Sequence, residues 1–131
     1  MYCLDTNMVI FFQKNVPSVV QRIIATNPSD ISITNITRAE LFYGAMKSAR
    51  IEENLAIQSE FCNSIQVLLP HTESDKIFGA LKTHTRSSRQ VVADMDLLIA
   101  SICISYGCTL VTNNIRDFET IHGLRIEDWS R

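Results

Sequence analysis

Met1-Tyr2-Cys3-Leu4-Asp5-Thr6-Asn7 opens the chain and decides how the rest of it is read. Tyr2 to Leu4 is a short apolar run that stops at an acid followed by two small polar residues. Thr6 and Asn7 are able to cap a helix, and the apolar run Met8-Val9-Ile10-Phe11-Phe12 follows at once. The stretch therefore predicts a first strand feeding directly into a first helix, with Asp5 at the strand's carboxyl end. In open α/β sheets ligands and chemistry gather along that edge. Asp5 is accordingly expected to be a metal-binding carboxylate on which three later acids converge.

Outward from this stretch the pattern repeats. Lys14-Asn15 makes a break, and Pro17 opens a second helix whose apolar face is Val16, Val19, Val20, Ile23 and Ile24. Asn27-Pro28-Ser29-Asp30 reads as a turn, and Ile31-Ser32-Ile33-Thr34 as a second strand. Asn35 to Thr37 then caps a helix beginning near Arg38, with Thr37 and Glu40 in capping-box positions. Leu41, Phe42, Ala45 and Met46 form its buried stripe, and Gly44 is expected to permit close helix packing. Residues 52–65 make another helix, with Leu55, Ile57, Phe61 and Ile65 inward; residues 66–69 make a third strand closed by Pro70. Residues 73–85 are helical, Arg86 to Gln90 is a polar basic loop, and the most apolar helix runs from Asp94 or Met95 to Tyr106, with Asp94 as its cap. Gly107 ends that helix in the usual left-handed position. Thr109–Thr112 is a fourth strand, residues 113–121 a turn and short helix, and Leu124-Arg125-Ile126 a last strand. The expected order is βααβααβααβαβ, without repeats or low-complexity stretches. Strands separated by helical pairs call for a parallel sheet covered on both faces, so the fold class is α/β.

Bulk properties bound the reading. At 131 residues the chain is long enough for one domain with a real core, here taken as 1–131. A hydrophobic content of 46% with 20% charged residues belongs to a globular protein rather than a disordered one. No apolar run approaches the roughly 20 residues of a membrane span, and no secretory leader pattern opens the chain; a cytoplasmic protein without membrane association is expected. Cys3, Cys62, Cys103 and Cys108 form no C-x-x-C pair and sit in apolar contexts, where a buried free thiol is the ordinary reading. His71, His84 and His122 show no zinc-binding spacing. The net charge of −2 argues against a nucleic-acid partner only until bound divalent cations are counted, since these reverse the local field.

Four acids fall where a parallel sheet would bring them together. Asp5 ends the first strand, Glu40 sits early in the helix after the second, Asp96 lies in the first turn of the most apolar helix, and Asp117 follows the fourth strand. Each has a bland alternative: Asp5 as a helix cap, Glu40 as half of a capping box, Asp96 as a helix-dipole partner, Asp117 as a solvated charge. Asp96 resists it most, because a carboxylate beside Leu97-Leu98-Ile99-Ala100 needs a partner or a cation. Clustered carboxylates without His or Cys suit hard cations, Mg²⁺ or Mn²⁺. Such ions bind phosphate oxygens and lower the pKa of water, so the reaction class implied is phosphodiester hydrolysis. Neither a G-x-S-x-G nucleophile motif nor a Walker loop competes.

These residues also carry a resemblance. Leu4-Asp5-Thr6-Asn7, Thr37-Arg38-Ala39-Glu40-Leu41 with Tyr43-Gly44, Asp96-Leu97-Leu98-Ile99-Ala100, and Val111-Thr112-Asn113-Asn114 with Arg116-Asp117-Phe118 together resemble the PIN-domain family. The closing Gly123-Leu124-Arg125-Ile126-Glu127-Asp128-Trp129 is similar to the C-terminus of VapC-type toxins. Any one string is weak, but the set runs in order almost from end to end. The resemblance implies a three-layer α/β/α sandwich around a central, mostly parallel sheet of four to five strands. It implies a Mg²⁺-dependent endoribonuclease, with Mn²⁺ as a substitute, acting as the toxin of a type II toxin–antitoxin pair. A homodimer, a VapB-type antitoxin and a tRNA substrate, the initiator tRNA anticodon region among the candidates, come with it. Carried over by motif position, Asp5, Glu40, Asp96 and Asp117 are the catalytic acids; Asp5, Asp96 and Asp117 bind metal, and Glu40 does so directly or through water. Thr6, Asn7, Thr112 and Asn114 support them.

Two departures from the family pattern bear on the site. Asn114 stands where many relatives carry an acid, which leaves the last metal-binding role with Asp117. Ser88-Arg89-Gln90-Val91-Val92-Ala93 replaces a glycine-containing loop before the third acid. Arg38, Lys82, Arg86, Arg89 and Arg116 are the candidate RNA-binding residues, set against an even alternative of solvated loop charges. Two other functions stay open. A phosphotransfer site begins on a strand-ending aspartate, but the second aspartate is replaced by Asn7 and a late strand-following lysine is missing. A catalytically inert PIN-like module binding RNA or a partner is the non-enzyme alternative.

Overall fold

The computed structural model describes residues 1–131. Strand β1 (Tyr2–Leu4) is the middle of a five-stranded sheet in the order β3-β2-β1-β4-β5, where β2 is Ile31–Thr34, β3 Gln66–Leu68, β4 Thr109–Val111 and β5 Arg125–Glu127. Every neighbouring pair is parallel, with Tyr2 opposite both Ile31 and Thr109. The chain leaves β1 towards β2 and β3 and later returns on its other side as β4 and β5. The boundary between β1 and β4 is thus the topological switch point, where the crevice at the carboxyl ends of the strands opens.

Strands this short expose no edge of real length, and the alternation of their side chains divides the core in two. Cys3, Leu68 and Leu110 point to one face, where they meet α6 (Asp94–Tyr106) through Leu97, Ile99, Ala100, Ile102 and Cys103. Leu4, Ile31, Ile33 and Val111 point to the other and meet Met8 and Val9 of α1 (Thr6–Gln13), Val19 of α2 (Pro17–Ala25) and Cys62 of α4 (Ile51–Ser64). Helix α3 (Asn35–Met46) sends Ile36 to the first cluster and Leu41 to the second. Helix α5 (Thr72–Ser87) packs along α6, and the single turn α7 (Ile115–Phe118) closes the first cluster with Phe118. The result is the three-layer α/β/α arrangement, with α6 central as its composition requires. The four cysteines are buried and free. No helix is long and apolar enough to cross a membrane.

Element order follows the sequence reading throughout, but several details differ. The cap of α1 is Asp5 itself, whose carboxylate accepts from the Met8 N–H, not Thr6 or Asn7. Helix α3 starts at Asn35, capped by Thr34 through the Thr37 N–H, so Glu40 lies in the second turn and forms no capping box. A Cβ on Gly44 would meet nothing within 4 Å, so close packing is not its role. Ile24, Met46 and Ile57 point to solvent rather than inward, because the covered stripe on each of these helices is narrower than the apolar one. Asp94 is the first residue of α6, not its cap, and pairs with Lys82 at 3.1 Å. The glycine-free loop before α6 gains its left-handed residue from Arg89 at φ 57°, with the Gln90 N–H closing back on the Thr85 carbonyl.

Trp129 anchors the last residues against the second cluster. It is fully buried, stacks edge-on against Tyr2 at 5.0 Å, lies under the Arg22 guanidinium and donates its indole N–H to Glu127. Truncation of Trp129 to alanine is expected to cost about 3–5 kcal/mol of stability, read as a shift in the denaturant midpoint at unchanged slope; an effect under about 1 kcal/mol would show that the C-terminus is dispensable to the core.

Candidate active site

The four acids predicted to converge do so along the carboxyl edge of the sheet. Asp5, Glu40 and Asp96 line one cavity of about 140 Å³, together with Thr6, Asn7, Asn114, Ile99 and Phe118. Asp117 stands next to it, close enough that its charge raises the pKa of Asp96. β1 delivers Asp5, the second turn of α3 delivers Glu40, the first turn of α6 delivers Asp96 and α7 delivers Asp117.

Asp5 is the anchor. Its backbone N–H reaches Val111 of β4 at 3.0 Å, one carboxylate oxygen caps α1 through the Met8 N–H at 2.9 Å, and the other accepts from the Thr112 hydroxyl. The direction of that last bond is fixed by its neighbour. The Asn114 N–H donates to the Thr112 oxygen at 2.9 Å, so the hydroxyl proton is free to point at Asp5. Asn114 also donates its side-chain amide to Asp117 at 2.6 Å and so ties two of the acids to one residue. On the opposite side Thr6 donates to Glu40 at 2.7 Å and lies 3.4 Å from the buried Thr37 hydroxyl. Asn7 contacts Asn113 at 3.3 Å.

None of these four carboxylates forms an ion pair; the four salt bridges of the chain involve Glu127, Glu53, Asp94 and Asp128 instead. Asp5 is only 7% exposed, and burial pushes its pKa up to about 6 despite the two hydrogen bonds, with Asp96 and Glu40 adding repulsion. Asp96 is raised in the same direction, first by burial and then by the charges of Asp117 and Glu40. Uncompensated negative charge at this depth is the chemistry of a cation site. The donor set is all oxygen, which fits Mg²⁺ or Mn²⁺ rather than a soft metal. No three of the carboxylates close on a single ion position, and Asp96 is the one free of side-chain hydrogen bonds.

Other predicted residues divide. Arg86, Arg89 and Arg116 are exposed and unpaired, in the last turn of α5, in the loop after it and on α7 next to Asp117. Lys82 is engaged with Asp94. Arg38 lies two residues from Glu40, nearly opposite it around α3, and faces α4, where its guanidinium opposes the burial that pushes the Cys62 thiol up. Sequence reading missed Thr37, Ile99 and Phe118. The last two were detectable: Ile99 is one turn after Asp96 and Phe118 adjoins Asp117, so both are carried to the cavity wall by acids already singled out.

Comparison with known proteins shows the family. The PIN domain family model matches residues 2–124. The chain belongs to the PIN-domain family, and within it to the VapC type. It is 39% identical over 128 residues to the tRNA(fMet)-specific endonuclease VapC of Salmonella typhimurium, covering 98% of this chain and 97% of that protein. It is 34% identical to a ribonuclease VapC of Haemophilus influenzae with the same coverage. Among solved structures, DNA-bound VapBC from Salmonella typhimurium aligns with a TM-score of 0.90 at 39% identity over 98% of this chain and 97% of that one. VapBC2 from Rickettsia felis, bound to a promoter DNA fragment, aligns at 0.88 and 32% identity over 98% of both chains. The fold of this VapC-type chain is therefore that of its relatives over its full described length.

The raised pKa of Asp5 has a direct consequence for stability. An acid whose folded pKa exceeds its unfolded value contributes stability that is present below about pH 4 and lost as the pH rises through about 6. In EDTA, the stability of Asp5→Asn relative to the parent is expected to rise by roughly 2–3 kcal/mol between pH 4 and pH 7.5, whatever constant offset the lost Thr112 hydrogen bond adds. Chemical denaturation across that range measures it; a gap that stays constant with pH would mean Asp5 is not the titrating group.

Proposed function

We propose that this chain is a divalent-metal-dependent endoribonuclease and the toxin of a toxin–antitoxin pair. The carrying observation is the set of four carboxylates on one sheet edge, three around a single cavity, with no cationic side chain to balance them. Asp5, Asp96 and Asp117 would hold Mg²⁺ or Mn²⁺, with Glu40 bound directly or through water. A cation held there would supply Lewis-acid stabilisation of phosphate charge and a lower pKa for the attacking water.

The protein's own part is orientation. Thr112 fixes the rotamer of Asp5 and leaves its remaining lone pairs directed into the cavity; Asn114 holds Asp117, and Thr6 holds Glu40. Ile99 and Phe118 exclude water from one wall, which strengthens charge interactions inside. Arg116, next to Asp117, and the exposed Arg86 and Arg89 would meet RNA phosphates, which would give salt-sensitive binding. The names of the Salmonella and Shigella relatives make initiator tRNA the proposed substrate. VapBC complexes among the structural neighbours make a VapB-type antitoxin the proposed partner; a homodimer is proposed on the family resemblance alone. One observation favours a second reading, an inert RNA- or partner-binding module: no three acids already close on an ion position.

Incubation of a total tRNA pool with the purified protein separates the two. Cleavage is expected with Mg²⁺, none with EDTA, and a loss of more than about 100-fold for Asp5→Ala or Asp96→Ala, the size expected when several kcal/mol of metal-borne stabilisation is removed. Thr112→Val is expected to lose about 10- to 100-fold while remaining folded. RNA binding without cleavage and without Mn²⁺ uptake would establish the inert module instead.

A further inference from the structure

A second cavity of about 330 Å³ lies between the last turns of α5 and the segment after α7. Leu81, Thr85 and Ile121 form its inner wall, and His84, Thr120 and His122 stand at its mouth. The side chains of the two histidines and of Thr120 make no hydrogen bond within the protein. They are thus exposed donors and acceptors over an apolar floor, with no structural task of their own. The volume is in the range of small-ligand sites, about 300–1,000 Å³.

Its position relates it to the acids. Phe118 lines the acidic cavity and Ile121 lines this one. Three residues separate them, a chain span of at most about 11 Å. Arg86, two residues beyond His84, and Arg116, two before Phe118, are exposed cations close in sequence to the two linings. A nucleotide next to a phosphate lying over the acids is therefore within reach of this opening.

We infer that this cavity receives an unstacked base of the RNA substrate, near the nucleotide whose phosphate is cut, with His84 and His122 as its stacking and hydrogen-bonding walls. Single-stranded RNA is recognised in this way, by bases splayed onto aromatic or imidazole planes and bonded along their edges. The inference rests on the ribonuclease reading and adds to it a base-binding subsite that shares no residue with the acidic cavity. His84 and His122 are positioning residues and touch no acid.

The test uses equilibrium binding, so it does not depend on cleavage. Fluorescence anisotropy would follow a labelled anticodon stem-loop of initiator tRNA binding to the full chain and to the His84→Ala/His122→Ala variant. The same measurement on stem-loops with a single abasic nucleotide, moved position by position along the loop, locates the base. At one position the abasic change is expected to weaken binding to the parent about 10-fold and to the double variant less than twofold, with His84→Phe retaining half or more of the parent's base dependence. The thermal midpoint of the variant, whose histidines are exposed, serves as the folding control. Equal weakening of parent and variant at every position would overturn the subsite. So would a variant that binds RNA normally but loses affinity for the co-expressed antitoxin, which would assign the cavity to a protein partner. Absence of Mg²⁺-dependent cleavage by the parent, with the base dependence intact, would instead overturn the ribonuclease reading and leave the subsite standing.

Discussion

The hydrogen bond from Thr112 to Asp5 crosses the one place in the sheet where no connection of the chain holds two strands together. β1 and β4 meet at the switch point, over a hundred residues apart in sequence, and are joined by a three-residue ladder. At its upper end the Asp5 N–H takes the Val111 carbonyl and the Thr112 N–H takes Glu127 of β5. Backbone pairing is then used up, and only side chains can continue the contact. A charge-assisted hydrogen bond of this type is worth about 1.5–3 kcal/mol, and Asp5 also supplies the cap that starts α1. One carboxylate thus ends a strand, begins a helix and joins the two halves of the sheet.

That carboxylate is nonetheless in the wrong solvent. Two good hydrogen bonds do not overcome the burial that pushes its pKa up, and its acidic neighbours add to the cost. An amide here would carry no buried charge and could still cap α1, but with a single oxygen it could not also accept from Thr112, so the acid is kept at a cost in burial. The same holds for Asp96 in the most apolar helix of the chain. Local strain of this kind is expected where function outweighs stability, and here it is concentrated along one edge of the sheet while the remainder of the core is unexceptional.

Much of this was legible in the sequence, for physical reasons. Strand β1, the turn into α1 and the apolar α6 each combine composition and punctuation that agree, so their existence and order could be read directly. Asp5, Glu40, Asp96 and Asp117 could be placed on one edge because a parallel sheet leaves no other side for strand ends and following helix starts. What could not be read was which hydroxyl or amide serves which acid. Thr34, Thr37 and Thr6 are all competent caps by composition; only the three-dimensional register shows Thr34 capping α3 and Thr6 donating to Glu40. The outward turn of Ile24, Met46 and Ile57 was equally invisible, because helical periodicity marks an apolar stripe and does not show how much of it a neighbour covers.

The polar network also explains why Asn114, rather than an acid, is compatible with this site. An aspartate there would add a fifth charge beside Asp117 and could not donate to it. Asn114 instead uses its backbone N–H to orient Thr112 towards Asp5 and its side-chain amide to hold Asp117. It therefore links the two halves of the acidic cluster through donors alone, which lowers the repulsion between them. The arrangement leaves Asp96 as the acid without a fixed donor. Any adjustment needed to close the site around an ion falls first on that residue, held at the start of a helix whose other end is locked by the left-handed Gly107. Rigidity in the helix and freedom in a single carboxylate are what a site needs if it is to form without moving its scaffold.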